Sequence, residues 1–255
     1  MIIEYERPER MEDAIRLLSR KGISSKPLGG GTILSKKKAT GDVAVVDLQR
    51  LGLDFIEQTG DQVHVGATCT LQQLILNEAI PSELKNAADR EVNLHMRNMA
   101  TVGGTIISAD GCSPVLTALT ALDAKLTWQP GLKEVMLGEW LPFRKSSAPG
   151  LLIEKLTIAI NNNLKCRFLA RSPQDYPMAS VAIARKQGGT IRIILGAVKE
   201  GYPVVIFDGD YAANGLDSVK KTCDSLLSGK KHGDYLKSVL PALIDQMNQE
   251  LLGSQ

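Results

Sequence analysis

The spacing of apolar residues changes period repeatedly along the first half of the chain. Ile2 to Tyr5 reads as a short strand, broken by Arg7-Pro8. Met11, Ala14, Ile15, Leu17 and Leu18 then recur at helical spacing and predict a helix from Met11 to Arg20, closed by Gly22. Lys26-Pro27-Leu28 leads into Gly29-Gly30-Gly31, a loop that the backbone alone must shape. Asp42 to Leu48 carries the β-branched residues Val43, Val45 and Val46, and Gln62 to Gly66 alternates Val63 and Val65 with polar neighbours; both read as strands. Thr70 to Glu78 reads as a helix capped by Thr70, with Pro81 shortly after its end. Leu84 to Asn93 is expected to be helical, Arg97 to Gly104 a second glycine-containing turn, and Val115 to Ala124 a buried helix. Trp140-Leu141-Pro142 marks a loop, and Leu151 to Ile160 a strand.

The texture changes after the polar break Asn161-Asn162-Asn163. Lys165–Ala170, Ser180–Lys186, Thr190–Ala197 and Val204–Asp208 read as successive antiparallel strands, with Gly188-Gly189 turning the middle pair. Leu216 to Leu252 reads as amphipathic helix. Strands interleaved with helices indicate an α+β or α/β chain, here divided into domains at 1–163 and 164–255.

Composition narrows the function classes. Thirty basic residues against 28 acidic leave a net charge of +2, which argues against a nucleic-acid or membrane footprint. Lys36-Lys37-Lys38 is a local cluster, read as a solvated loop with phosphate or partner contact as the alternative. Cys69, Cys112, Cys166 and Cys223 form no C-x-x-C pair, so no zinc or iron–sulfur site is expected. The N-terminal segment has no apolar signal core and no run of about 18 apolar residues occurs, so a cytoplasmic protein without a membrane span is expected. His64, His95 and His232 stand in no acid-and-nucleophile pattern and read as structural or surface groups, which leaves no catalytic residue and no metal ligand to assign.

Chemistry concentrates in two glycine segments. In Pro27-Leu28-Gly29-Gly30-Gly31-Thr32-Ile33-Leu34, three absent Cβ atoms let backbone N–H groups approach an anion, and Thr32 adds a hydroxyl. The run is neither a P-loop nor a G-x-G-x-x-G fingerprint. Thr101-Val102-Gly103-Gly104-Thr105 repeats the logic, with Ser108 continuing its polar edge. Two such segments suggest two walls around one diphosphate, which needs several donors at once. Two unrelated turns fit the same pattern.

These residues resemble a known family. Ile3-Glu4-Tyr5, Asp13 to Leu18 and Pro27 to Thr32 resemble the opening of molybdenum hydroxylase flavin subunits, of the xanthine dehydrogenase and carbon monoxide dehydrogenase type. Val65-Gly66-Ala67 with Thr70-Leu71, and Arg97-Asn98 with Thr101 to Gly104, are similar to their later FAD segments. Leu119 to Ala124 resembles the end of the following helix. Asp175-Tyr176-Pro177 with Ser180-Val181-Ala182 resembles the start of their C-terminal domain.

The resemblance implies a two-subdomain FAD-binding domain of the molybdopterin-dehydrogenase type, then a C-terminal three-stranded antiparallel sheet with a helical bundle. It implies FAD, with the diphosphate across residues 28–32 and 101–105, Arg167 and Arg171 matching family basic residues, and Tyr176 near the isoalloxazine. It also implies partners: a molybdopterin-binding large subunit, a [2Fe–2S] small subunit, and NAD, a quinone or oxygen as acceptor. The chain departs from the family at Ile33, where an Asp is usual, at Thr105, where an Asn is usual, and at Ser113-Pro114, where an acidic residue is usual. An FAD-free scaffold and a stand-alone flavin oxidase remain as rival readings.

Overall fold

A computed structural model describes residues 1–34, 41–146, 150–160, 163–172, 175–186, 188–197 and 201–253. The Lys36-Lys37-Lys38 cluster lies outside the described residues. The chain divides into two compact units. One comprises Met1–Ala79, Val92–Ser108 and Ala124–Ile158; the other Ile80–Glu91, Ala109–Asp123 and Ala159–Gln255. The fold is mixed α and β, as the alternating periods predict.

The first unit contains two sheets. Strands Ile2–Glu6, Val43–Asp47 and Ser24–Leu28 form a three-stranded parallel sheet with Val43–Asp47 in the middle. That middle strand is buried throughout, which suits its run of β-branched residues. Lys26-Pro27-Leu28, expected as a lead-in to the loop, ends strand Ser24–Leu28; Pro27 is tolerated there because the strand is an edge. Helix Met11–Ser19 turns Ala14 and Leu18 inward onto Val46, Leu48 and Leu53. Asp47, 2% exposed, accepts hydrogen bonds from the Tyr5 hydroxyl and, at 2.9 Å, the Gln49 amide.

A five-stranded sheet runs in the order Ile56–Thr59, Gln62–Gly66, Leu152–Ala159, Lys125–Gln129, Lys133–Met136. Val63 and Val65 are fully buried, as their alternation predicts. The hairpin Lys125–Met136 was not anticipated, although Pro130-Gly131 marks its turn. Trp140-Leu141-Pro142, expected in a loop, spans a helical turn Leu137–Trp140 and a 3-10 segment Leu141–Ser146. Trp140 is buried against Trp128, ring centroids 5.1 Å apart, so packing rather than turn chemistry decides its conformation.

The second unit is built on an antiparallel sheet ordered Val204–Gly209, Ile191–Gly196, Ala179–Arg185, Asn163–Leu169. It has four strands, where the resemblance implied three; the turn signals had indicated four. Gly188 and Gly189 close the middle hairpin at φ +97° and +87°. Val181 and Ile183 pack with Val219, Cys223, Leu236 and Leu240 from helices Tyr211–Leu227 and Gly233–Gly253. The alternate positions are small because the other face is also covered. A Cβ on Gly196 would lie 2.6 Å from Thr117 Oγ1, and the Ser180 hydroxyl donates to the Cys112 carbonyl at 2.7 Å. Helices Ser82–Glu91 and Pro114–Ala121 pack in this unit. Among the described residues, no helix is long and apolar enough to cross a membrane, and no cluster could hold a metal ion.

Candidate functional site

Both glycine segments fall in the first unit, and the fold brings them into contact. Strand Ser24–Leu28 delivers the first turn, held by the Leu48 amide donating to the Leu28 carbonyl at 3.0 Å. The turn then packs without side chains against residues 99–101. A Cβ on Gly30 would lie 1.5 Å from the Met99 carbonyl oxygen, and one on Gly29 would lie 2.7 Å from Thr101 Oγ1. Gly31 adopts φ +71°, which L side chains rarely take. Glycine is therefore required three times in succession, twice for space and once for backbone conformation. Among the described residues, nothing accepts a hydrogen bond from the amides of Gly29, Gly30, Gly31 or Thr32.

The second segment differs from the expected open turn. Gly103 and Gly104 lie in the first turn of helix Val102–Ser108. Their amides are already engaged: Val102 N–H donates to Cys69 O at 2.8 Å, Gly103 N–H to Ala67 O at 2.9 Å, and Gly104 N–H to Thr101 Oγ1 at 3.1 Å. Thr105 N–H donates to Thr101 O within the helix, at 2.8 Å. Gly103 serves close packing, since a Cβ would meet Ala67 O at 2.9 Å. Ser108 is exposed and donates its hydroxyl to Gly104 O at 2.6 Å. Thr101 is 5% exposed, and its hydroxyl, accepting from Gly104, still has a proton to donate beside Gly29.

Sequence reading missed what anchors this helix. Thr70 and Thr101 form an antiparallel bridge, and Leu71 N–H donates to Ala100 O at 2.9 Å. Thr70 caps helix Leu71–Leu76 reciprocally with Gln73. The Thr-x-x-Gln spacing was available as a signal for the cap; nothing local signals the bridge.

The family model described as "FAD binding domain in molybdopterin dehydrogenase" matches residues 1–158. The chain belongs to this family. Its FAD-binding domain is that of an oxidoreductase, and the flavin-subunit resemblance is borne out. The chain is 28% identical over 213 residues to the glyceraldehyde dehydrogenase medium chain of Sulfolobus acidocaldarius, covering 77% of this chain and 75% of that one. It is 26% identical to the carbon monoxide dehydrogenase medium chain of Afipia carboxidovorans, covering 73% and 69%. Among solved structures, Cu,Mo-CO dehydrogenase matches with TM-score 0.79 and 21% identity over 96% of both chains. Quinoline 2-oxidoreductase from Pseudomonas putida 86 matches at 0.79 and 18% identity, over 99% of this chain and 98% of that one. These two structures establish the fold.

The residues of the first turn of this FAD-binding domain suit a diphosphate. Among the described residues nothing engages these four consecutive amides, and the Thr101 hydroxyl adjoins them. Pro27 and Ile33 are exposed, and Leu28, Thr32 and Leu34 are half-buried. The second segment fits as the wall behind this turn rather than as a second set of open amides.

Arg167 and Tyr176 belong to the second unit. Arg167 is held by Glu250 at 2.6 Å and also donates to Cys166 O at 2.9 Å. Arg171 is exposed, 3.8 Å from Asp175. Tyr176 is 41% exposed, but its hydroxyl donates to Asp110 at 2.9 Å. Desolvation at that end, then the carboxylates of Glu91 and Asp110, push the phenol well above its ordinary pKa.

At Ser113-Pro114, a buried carboxyl group from another helix meets the helix start. Glu91, 6% exposed, accepts from the Ser113 hydroxyl at 2.7 Å and from the Val115 amide at 3.0 Å. Burial pushes its pKa up to about 7, against the lowering effect of those two donors. Of the histidines, His64 is part-buried beside Thr157, with its pKa lowered chiefly by burial, while His95 and His232 are exposed.

Proposed function

We propose that this chain is the FAD-binding medium subunit of a molybdenum hydroxylase. A molybdopterin-binding large subunit would oxidise the substrate, a small subunit would relay electrons through [2Fe–2S] clusters, and NAD, a quinone or oxygen would take them from this subunit. The observation that carries the reading is the first glycine turn: the amides of Gly29 to Thr32, unengaged among the described residues, in a turn fixed against Met99 and Thr101. The medium-chain relatives support the subunit role.

Gly29, Gly30, Gly31 and Thr32 would hold the diphosphate through backbone N–H groups, and Thr101 through its hydroxyl. Pro27 and Leu28 aim the turn, while Ile33 and Leu34 continue it. Val102, Gly103, Gly104, Thr105 and Ser108 hold the wall in place. Motif similarity extends the proposal to Arg167, and to Tyr176 at the isoalloxazine. FAD supplies the redox chemistry; the protein positions it and excludes competing reactions. Cys69, Cys112, Cys166 and Cys223 are all buried, and a cytoplasmic location is part of the proposal.

The test is cofactor extraction from the purified chain. FAD at one per chain, absorbing near roughly 450 nm and confirmed by mass, supports the reading. A colourless, folded protein that does not take up added FAD supports the scaffold reading instead.

A further inference from the structure

The unit of the C-terminal sheet holds a concavity of about 550 Å3. It opens where the end of strand Ala179–Arg185, the start of helix Tyr211–Leu227 and the last turns of helix Gly233–Gly253 come together. Arg185, Tyr211 and Asn248 all line it, and among the described residues none makes a good hydrogen bond to the buried Arg185 Nη1, Tyr211 hydroxyl or Asn248 Oδ1. Tyr211 is 9% exposed and Asn248 is 7%. A buried polar atom without a good hydrogen bond is destabilising, so three around one concavity call for something that answers them.

The lining sets the chemistry of that partner. Arg185 is its cation, and Asp210, Asp217 and Asp245 are its carboxylates. Asp210 is engaged by the Ala212 amide at 3.0 Å, and Asp217 lies 3.9 Å from Lys220. Asp245 accepts from Gln249 at 3.0 Å and has capacity for more donors. Burial and then Asp245 push the Tyr211 phenol up to about 12, which sets that carboxylate beside the phenol, though without good hydrogen-bond geometry. A simple anion would meet three aspartates, and a simple cation would leave Arg185 unanswered. Leu216 and Leu252 add an apolar wall.

We propose that this concavity binds a small zwitterion of the amino-acid class. Its carboxylate pairs with Arg185 and the Tyr211 hydroxyl, its ammonium with Asp245 and Asn248 Oδ1, and an aliphatic side chain rests on Leu216 and Leu252. The site is independent of the flavin reading.

Calorimetric titration of the full chain tests this with three probes: L-leucine, 4-methylpentanoate, which lacks the amine, and isopentylamine, which lacks the carboxylate. The expected result is L-leucine binding with Kd on the order of 1 mM or tighter, and each half-ligand at least about ten-fold weaker. Arg185→Gln should weaken L-leucine and 4-methylpentanoate but leave isopentylamine unchanged; Asp245→Asn should do the reverse. The wild-type comparison stands even if a variant fails to fold. Absence of L-leucine binding to about 10 mM, equal binding of all three probes, or folded variants that bind L-leucine normally would each overturn the proposal and leave the concavity to water.

Discussion

The two glycine segments are alike in composition and opposite in use. At Gly29–Gly31 the missing side chains let the turn lie against Met99 and Thr101 while its amides stay open. At Gly103-Gly104 the missing side chains let a helix start against Ala67, and the amides are taken by Ala67 O and Thr101 Oγ1. A glycine pair therefore carries two separate properties, space and an accessible donor. Only the first is guaranteed by the residue type; the second depends on which carbonyls lie nearby.

The largest expected effect is at the contact itself. Gly30→Val puts a side chain where the Met99 carbonyl stands, and overpacking against backbone has little room to relax. We expect a loss of about 3 kcal/mol or more in denaturant unfolding, together with loss of bound FAD. A melt like the wild type's would show that the two segments are not in contact.

Next is a comparison of helix starts. Helix Val102–Ser108 begins on a neutral threonine hydroxyl, whereas Pro114–Ala121 begins on Ser113 backed by the buried Glu91 carboxyl. The folded pKa of Glu91, about 7, is above its unfolded value of 4.5. The folded state therefore keeps a proton that the unfolded chain releases. That contribution is complete below pH 4.5 and is lost as pH rises to about 7. Glu91→Gln keeps an acceptor oxygen for Ser113 and Val115 and removes the titration. We expect the variant to lack this slope in urea unfolding between pH 4.5 and 7, a difference of at most about 3 kcal/mol. An unchanged slope would mean that Glu91 is ionised throughout.

The smallest effect separates space from donors. Gly103→Ala brings a methyl group to 2.9 Å from the Ala67 carbonyl oxygen, without touching the open amides. A destabilisation of about 1–2 kcal/mol is expected, with FAD content per folded chain close to that of the wild type. Loss of FAD from fully folded protein would mean that the second segment holds the cofactor directly.

Legibility from sequence followed the range of the forces involved. Gln62–Gly66 was readable because Val63 and Val65 alternate across one strand, and the Thr70 cap because its partner Gln73 is three residues away. The hairpin Lys125–Met136 was not, because only Leu122-Asp123-Ala124 separate its first strand from the buried helix, with no glycine or proline to mark the change. The packing of Ser82–Glu91 and Pro114–Ala121 with the C-terminal sheet has no local signal at all. Within the candidate site, the glycines and Thr101 were visible. The engagement of Gly103 by Ala67, and of the Pro114 helix by Glu91, depends on residues that only folding brings near.

FAD content of Thr32→Glu against Thr32→Gln tests the central claim most directly. Neither change alters a glycine, and the two side chains differ by one charge beside the open amides. We expect the glutamine variant to keep FAD and the glutamate variant to lose it with an unchanged melt, because a carboxylate there repels a diphosphate. Equal FAD in both folded variants would contradict the assignment of the diphosphate to this turn.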